Sequence, residues 1–167
     1  MHEALPGWIG EVLFIHIAPA GSFEMQEVPS AHAIAGKGLE GDRYFLGSGT
    51  YSRLPAVREV TLFEMEVLQA LARNDPPLQE GPIQLEPSEH RRNLTVRGVP
   101  LHHLSGGGRF AVGPEVILQG ANINFPCRYL EGLLDKPVRM PLYNRGGLNC
   151  RIERGGVIRV GDAIRPL

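Results

Sequence analysis

Glycine and proline punctuate this sequence along its whole length: 21 glycines and 14 prolines, spread out and not gathered in one tail. Both residues interrupt regular backbone, glycine by its freedom and proline by its fixed φ and missing donor. Together they exceed the usual share of a globular chain. Such a chain folds as short strands joined by frequent turns, and it is ordered, because apolar residues fill the intervals.

Those intervals read mostly as strands. Residues 8–17, 23–28, 57–63, 94–96, 109–113, 115–119, 148–153, 157–160 and 163–165 carry β-branched and aromatic residues between turn signals. Residues 137–140 read as a further short extended piece. The run 154–156 reads as the glycine turn of a hairpin joining 148–153 to 157–160. Two helices are expected. Residues 63–73 carry Val67, Leu68 and Leu71 on one stripe and end at Asn74 and Pro76. Residues 128–134 form the second. Short strands and few helices imply a mainly β fold, a largely antiparallel β-barrel or folded sheet. At 167 residues, with no repeat and no dividing linker, the chain reads as one domain over 1–167.

A net charge of −1 gives no global pull towards nucleic acid or a membrane surface. No stretch has the length of a transmembrane helix, and residues 1–10 lack the pattern of a secretory signal. Two cysteines make no disulfide framework. The expectation is a soluble, cytoplasmic protein with reduced thiols. Of its 17 lysines and arginines only Lys37 and Lys136 are lysine. Arginine forks suit phosphate and carboxylate, although genome base composition produces the same bias.

Candidate chemistry centres on Asn122-Ile123-Asn124-Phe125-Pro126-Cys127-Arg128-Tyr129-Leu130. Pro126 suits a first helical position. Cys127 would then lie in the first helical turn, where backbone N–H groups and the helix dipole favour a thiolate, with Arg128 adjacent. The alternative is a half-buried cysteine that only packs. The glycine run 36–41, bracketed by Lys37 and Arg43, reads either as an anion-cradling loop or as a tight turn. It is not a Walker loop. Residues 47–55 read as a flexible loop. Arg91, Arg92 and Asn93 stand against the start of a strand. They offer forked donors and an amide edge, or else form a solvated charged corner. His102 and His103, read on a strand, point to opposite faces and do not suit one metal.

Four landmarks occur in order: Gly38-Leu39-Glu40-Gly41-Asp42-Arg43, Arg91-Arg92-Asn93-Leu94-Thr95-Val96-Arg97-Gly98, Pro126-Cys127, and Gly155-Gly156-Val157-Ile158-Arg159-Val160-Gly161-Asp162. Together they resemble the MOSC domain, named after the C-terminal part of molybdenum cofactor sulfurase, and more narrowly its small stand-alone bacterial members. The resemblance implies a β-barrel related to the β-domain of pyruvate kinase. It also implies a ligand, the molybdenum cofactor (molybdopterin). By the same resemblance Cys127 would be the catalytic residue and metal ligand, or would carry sulfur as a persulfide. Lys37, Arg43, Arg91, Arg92 and Asn93 would hold pterin and phosphate, with Arg92 at a position where relatives often carry another residue. Tyr44 departs from the histidine of many relatives, and Cys150 matches no family role. The implied activity is partner-dependent reduction of N-hydroxylated compounds. The alternative is a sulfur or cofactor carrier without turnover of its own. A reductase, or a pyridoxal-phosphate cysteine desulfurase, would come from another chain. A third possibility is a module for some other phosphorylated ligand.

Overall fold

A computed structural model describes residues 7–125 and 127–167. The expectation for Pro126 lies outside the described residues. Eleven strands and four helices among these residues follow in chain order. They are β1 (Gly10–Ile17), β2 (Gln26–Val28), β3 (Ser30–Ile34), β4 (Gly38–Leu39), α1 (Arg43–Leu46), β5 (Val60–Glu64), α2 (Met65–Arg73), β6 (Leu94–Arg97), α3 (Leu101–Leu104), β7 (Arg109–Val112), β8 (Val116–Ile123), α4 (Arg128–Leu134), β9 (Leu148–Arg154), β10 (Gly156–Arg159) and β11 (Ala163–Pro166).

Seven strands close into a barrel in the order β11-β7-β8-β9-β5-β6-β1, with β1 pairing back to β11 and β2 added outside β1. Among the described residues only β5 and β6 pair in parallel, with Leu62 opposite Leu94. Parallel neighbours need a long crossover, and here it contains α2 and the segment that carries Arg91 and Arg92. A second sheet, β10-β3-β4, lies apart from the ring. Inward-facing Val12, Ile15, Leu62, Leu94, Val96, Phe110, Leu118, Leu148 and Ile164 are sealed from solvent and fill the barrel. A second core joins Phe63 and the buried stripe of α2 (Val67, Leu68, Leu71) to Leu130, Val138 and Leu142. Leu130 thereby ties α4, and the cysteine just before it, to the barrel flank.

The mainly β barrel agrees with the sequence reading, and both expected helices are present. Four local expectations are corrected. The 148–160 stretch is not a hairpin: β9 stays in the barrel while β10 pairs with β3, Ile158 opposite Ala31. Gly155 lets the chain turn between sheets, because a Cβ there would collide with the Ala33 carbonyl oxygen. The glycine run is not one loop through Arg43, since Gly38 and Leu39 form β4 and Arg43 opens α1. His102 and His103 sit exposed on the helical turn α3 and not on a strand. Residues 137–140 form no strand. No helix among the described residues is long and apolar enough to cross a membrane.

Candidate functional site

The Arg91-Arg92 segment owes its shape to the residues on either side. His90 is fully buried and stacks on Phe63, ring centroids 4.2 Å apart. Its Nδ1 accepts from the Arg92 backbone N–H at 2.9 Å, so Nε2 carries the proton and donates to Thr95 Oγ1 at 2.8 Å. Burial holds this imidazole well below its ordinary value, with the Arg92 charge adding to the effect. Asn93 is also sealed. Its Oδ1 accepts from the Thr61 N–H and hydroxyl, and its amide donates to the His16 carbonyl. With these two side chains turned into the protein, the chain between them projects Arg91 and Arg92 into a pocket. Arg91 takes a left-handed backbone, φ 63°, which a non-glycine residue adopts only where its surroundings hold it there.

Asp42 supplies part of that hold. It caps α1 by accepting from the Tyr44 N–H, and it pairs with Arg43 at 2.9 Å while sealed from solvent. Arg43 then donates to the Arg91 carbonyl at 2.8 Å. Arg91 Nη1 donates to the Phe23 carbonyl, but Arg91 Nη2 is buried with no hydrogen-bond partner among the described residues. Burial, and then the Arg43 charge, lower the Arg91 guanidinium below its usual range. Arg92 donates to the carbonyls of Gly146 and His90. Burial and then Arg43 pull it down to about 10.

Cys127 faces the same space. It is the N-cap of α4 with an extended backbone (φ −132°, ψ 161°), which corrects the expectation that it lies within the first helical turn. Its sulfur is half-buried and accepts from the Tyr51 hydroxyl at 3.0 Å. Burial and this hydrogen bond push the Tyr51 phenol up to about 12. The Arg58 guanidinium lies over the Tyr51 ring, 4.5 Å from its centroid, and Tyr129 meets the ring edge-on at 6.3 Å. The Tyr129 hydroxyl lies 2.6 Å from Ser22 Oγ. Burial raises its pKa, but hydrogen bonds with Ser22 and Thr50 and the Arg91 charge outweigh burial and leave it below its ordinary value.

The pocket is lined by Arg43, Arg58, Arg91, Arg92, Tyr44, Thr50, Tyr51, Thr61, Asn124, Cys127, Tyr129 and Leu130. Its cavity volume is about 40 Å³, room for a few waters or a small anion, and its mouth opens to solvent. Of the residues singled out from sequence, the structure brings Arg43, Arg91, Arg92 and Cys127 together here. Lys37 is exposed, its ammonium over the Phe45 ring, and does not line the pocket. Asn93 lies behind the wall with its amide engaged by Thr61 and His16. Arg58 and Tyr51 escaped the sequence reading, while Asn124 and Tyr129 lie in the stretch it centred on but were given no role there. The only hint was an arginine at the head of a strand, following a loop that contains a tyrosine.

The lining is rich in cationic donors and contains no carboxylate among the described residues; Asp42, beside it, is paired with Arg43. Arg58 Nε, like Arg91 Nη2, is buried and has no partner among the described residues. Such donors suit a phosphate or other oxyanion. The described residues hold no cluster of three or more His, Cys, Asp or Glu side chains able to grip a metal. One thiol can therefore supply a single soft ligand to a metal that arrives with its other ligands already attached.

A family model described as MOSC domain matches residues 42–165. No curated protein matches the sequence. Among solved structures, the YUAD protein from Bacillus subtilis superposes with a TM-score of 0.76 at 22% identity, covering 95% of this chain and 97% of that one. YiiM from Geobacillus stearothermophilus superposes with a TM-score of 0.68 at 13% identity, covering 95% and 75%. YiiM from Escherichia coli gives 0.64 at 18% identity, covering 97% and 70%. At these identities the likeness is one of fold.

Proposed function

The chain belongs to the MOSC domain family, and from that membership we propose that its arginine pocket holds the molybdenum cofactor and that Cys127 is the protein's own ligand to the metal. The observation that carries the proposal is a pair of buried, unpartnered guanidinium nitrogens, on Arg91 and Arg58, in one pocket with an accessible thiol. A phosphate-bearing pterin that brings a metal on its own sulfurs matches those vacant donors and that single soft atom. When bound, the group supplies a metal able to take up an oxygen atom. On this reading the reaction is reduction of N-hydroxylated compounds, with electrons from a partner reductase.

In this proposal the chain's own residues bind and orient. Arg91 takes the phosphate through Nη2. Arg43, neutralised by Asp42, fixes the backbone from which Arg91 projects. Arg92 adds charge to the wall, and Asn93 braces Thr61 from behind without touching ligand. Tyr51 directs a hydrogen bond at the sulfur, a supporting contact of the kind that orients metal ligands.

The test is molybdenum and pterin content of protein purified from a host that makes the cofactor. We expect near one molybdenum per chain, lost in Cys127→Ala, and loss of both metal and pterin in Arg91→Ala. Labile sulfur on Cys127 without molybdenum would identify a sulfur carrier instead. Neither metal nor labile sulfur would refute both readings.

A further inference from the structure

The phosphate is given to Arg91 Nη2, which leaves Arg58 as the other lining arginine with a buried donor that has no partner among the described residues. Its guanidinium covers one face of Tyr51, whose hydroxyl reaches the Cys127 sulfur, so a single aromatic ring separates this cation from the thiol. Stacking on a ring fixes the plane of the fork. Nε is buried without a partner, and Arg58 makes no ion pair with any described residue. A second such donor, Nη2 of the more than nine-tenths buried Arg91, also lacks a partner among the described residues, and Arg91 lines the same pocket. The pocket's lining holds four guanidiniums and no aspartate or glutamate among the described residues, and the one ion pair those guanidiniums make there is Arg43 with Asp42. A cationic group entering this space would meet only like charge.

We propose that Arg58 is an anion subsite beside the Cys127 sulfur, and that the small molecule delivered there carries a carboxylate or other oxyanion. The proposal rests on the reading of this pocket as a small-molecule site, but it does not require the cofactor to be bound. It turns the substrate class away from cationic compounds and towards anionic ones. Arg58 binds and positions in this scheme; it exchanges no proton or electron.

The test uses the cofactor-free protein and two alkylating agents that share a leaving group. Iodoacetate carries the negative charge and iodoacetamide does not. The rate ratio of the two at Cys127, located by peptide mass, is compared with the ratio for N-acetylcysteine in the same buffer. Cys150 is sealed and its thiol is pushed up by burial, so it contributes no background in the folded protein. We expect the wild-type ratio to exceed the reference about tenfold at low ionic strength and to fall as salt is added. Arg58→Gln should remove most of that excess, Arg58→Lys should keep most of it, and Arg91→Gln should remove less than Arg58→Gln. A wild-type ratio equal to that of the free thiol would overturn the proposal even if no variant folds. So would an Arg58→Gln ratio equal to wild type with the iodoacetamide rate unchanged. Molybdenum content does not enter the measurement, so this inference and the cofactor proposal fail separately.

Discussion

Asp42 is sealed from water, and its two oxygens serve three groups: the Arg43 guanidinium and the N–H groups of Ala18 and Tyr44. Removing the carboxylate leaves the Arg43 charge buried and uncompensated, the costly way to break such a pair. Asp42→Ala should therefore destabilise the protein by about 3 kcal/mol in urea unfolding. A loss below about 1 kcal/mol would mean that water reaches Arg43 freely. Such pairings explain what single residues in the sequence reveal. Cys127, Arg91 and Arg92 were legible because thiols and forked donors beside strand and helix signals have few uses. Asn93 has the same chemistry, but its neighbours turn it inwards, and no local pattern distinguishes an amide that binds ligand from one that braces Thr61. Tyr51 and Arg58 were illegible because their meaning comes from Cys127, 76 residues beyond the tyrosine.

At the scale of elements, strand and helix periods were readable while pairing was not. The two longer helices follow their apolar stripes, and most strands follow their β-branched runs. The change of sheet at Gly155 left no such mark, since a glycine turn looks the same whether the next strand folds back or leaves. Glycine positions test how tightly elements meet. Gly147 opens towards β9 with φ +100°, its carbonyl accepts from the Asn124 N–H in the pocket wall, and a Cβ there would strike the Leu62 carbonyl oxygen. Gly132 lies inside α4, where a Cβ would meet nothing. Gly147→Ala should cost about 3 kcal/mol through backbone strain and collision. Gly132→Ala should stabilise by about 0.5–1 kcal/mol through helix propensity. Chemical denaturation of the two variants side by side checks both signs, and equal effects would contradict this geometry.

For the whole molecule, acid sensitivity follows from two inward-facing imidazoles. Burial holds His90 well below 6.5 and also lowers His16, against a smaller opposing effect of Glu27. Above about pH 6.5 these rings are neutral in both folded and unfolded chains, and their contribution to stability is complete. Below it, and down to the folded values, the unfolded chain binds protons that the folded one refuses, so stability falls as pH falls. The slope should reach up to about 1.4 kcal/mol per pH unit for each histidine. Urea unfolding between about pH 5 and 6.5 samples the range before most carboxylates titrate. A stability that stays flat there would show that water enters around His90.

The barrel closes on a seam only two residue pairs long, Gly10 with Ile164 and Glu11 with Ala163. The strand that completes the circle follows every other barrel strand in the chain. A growing polypeptide must therefore carry β1 and β7 with raw edges until Ala163–Pro166 emerges, after all four pocket arginines and Cys127 have been made. The pocket residues are thus made before the strand that closes the ring, and a nascent molecule of this kind stays open to sticking to its neighbours until that strand emerges.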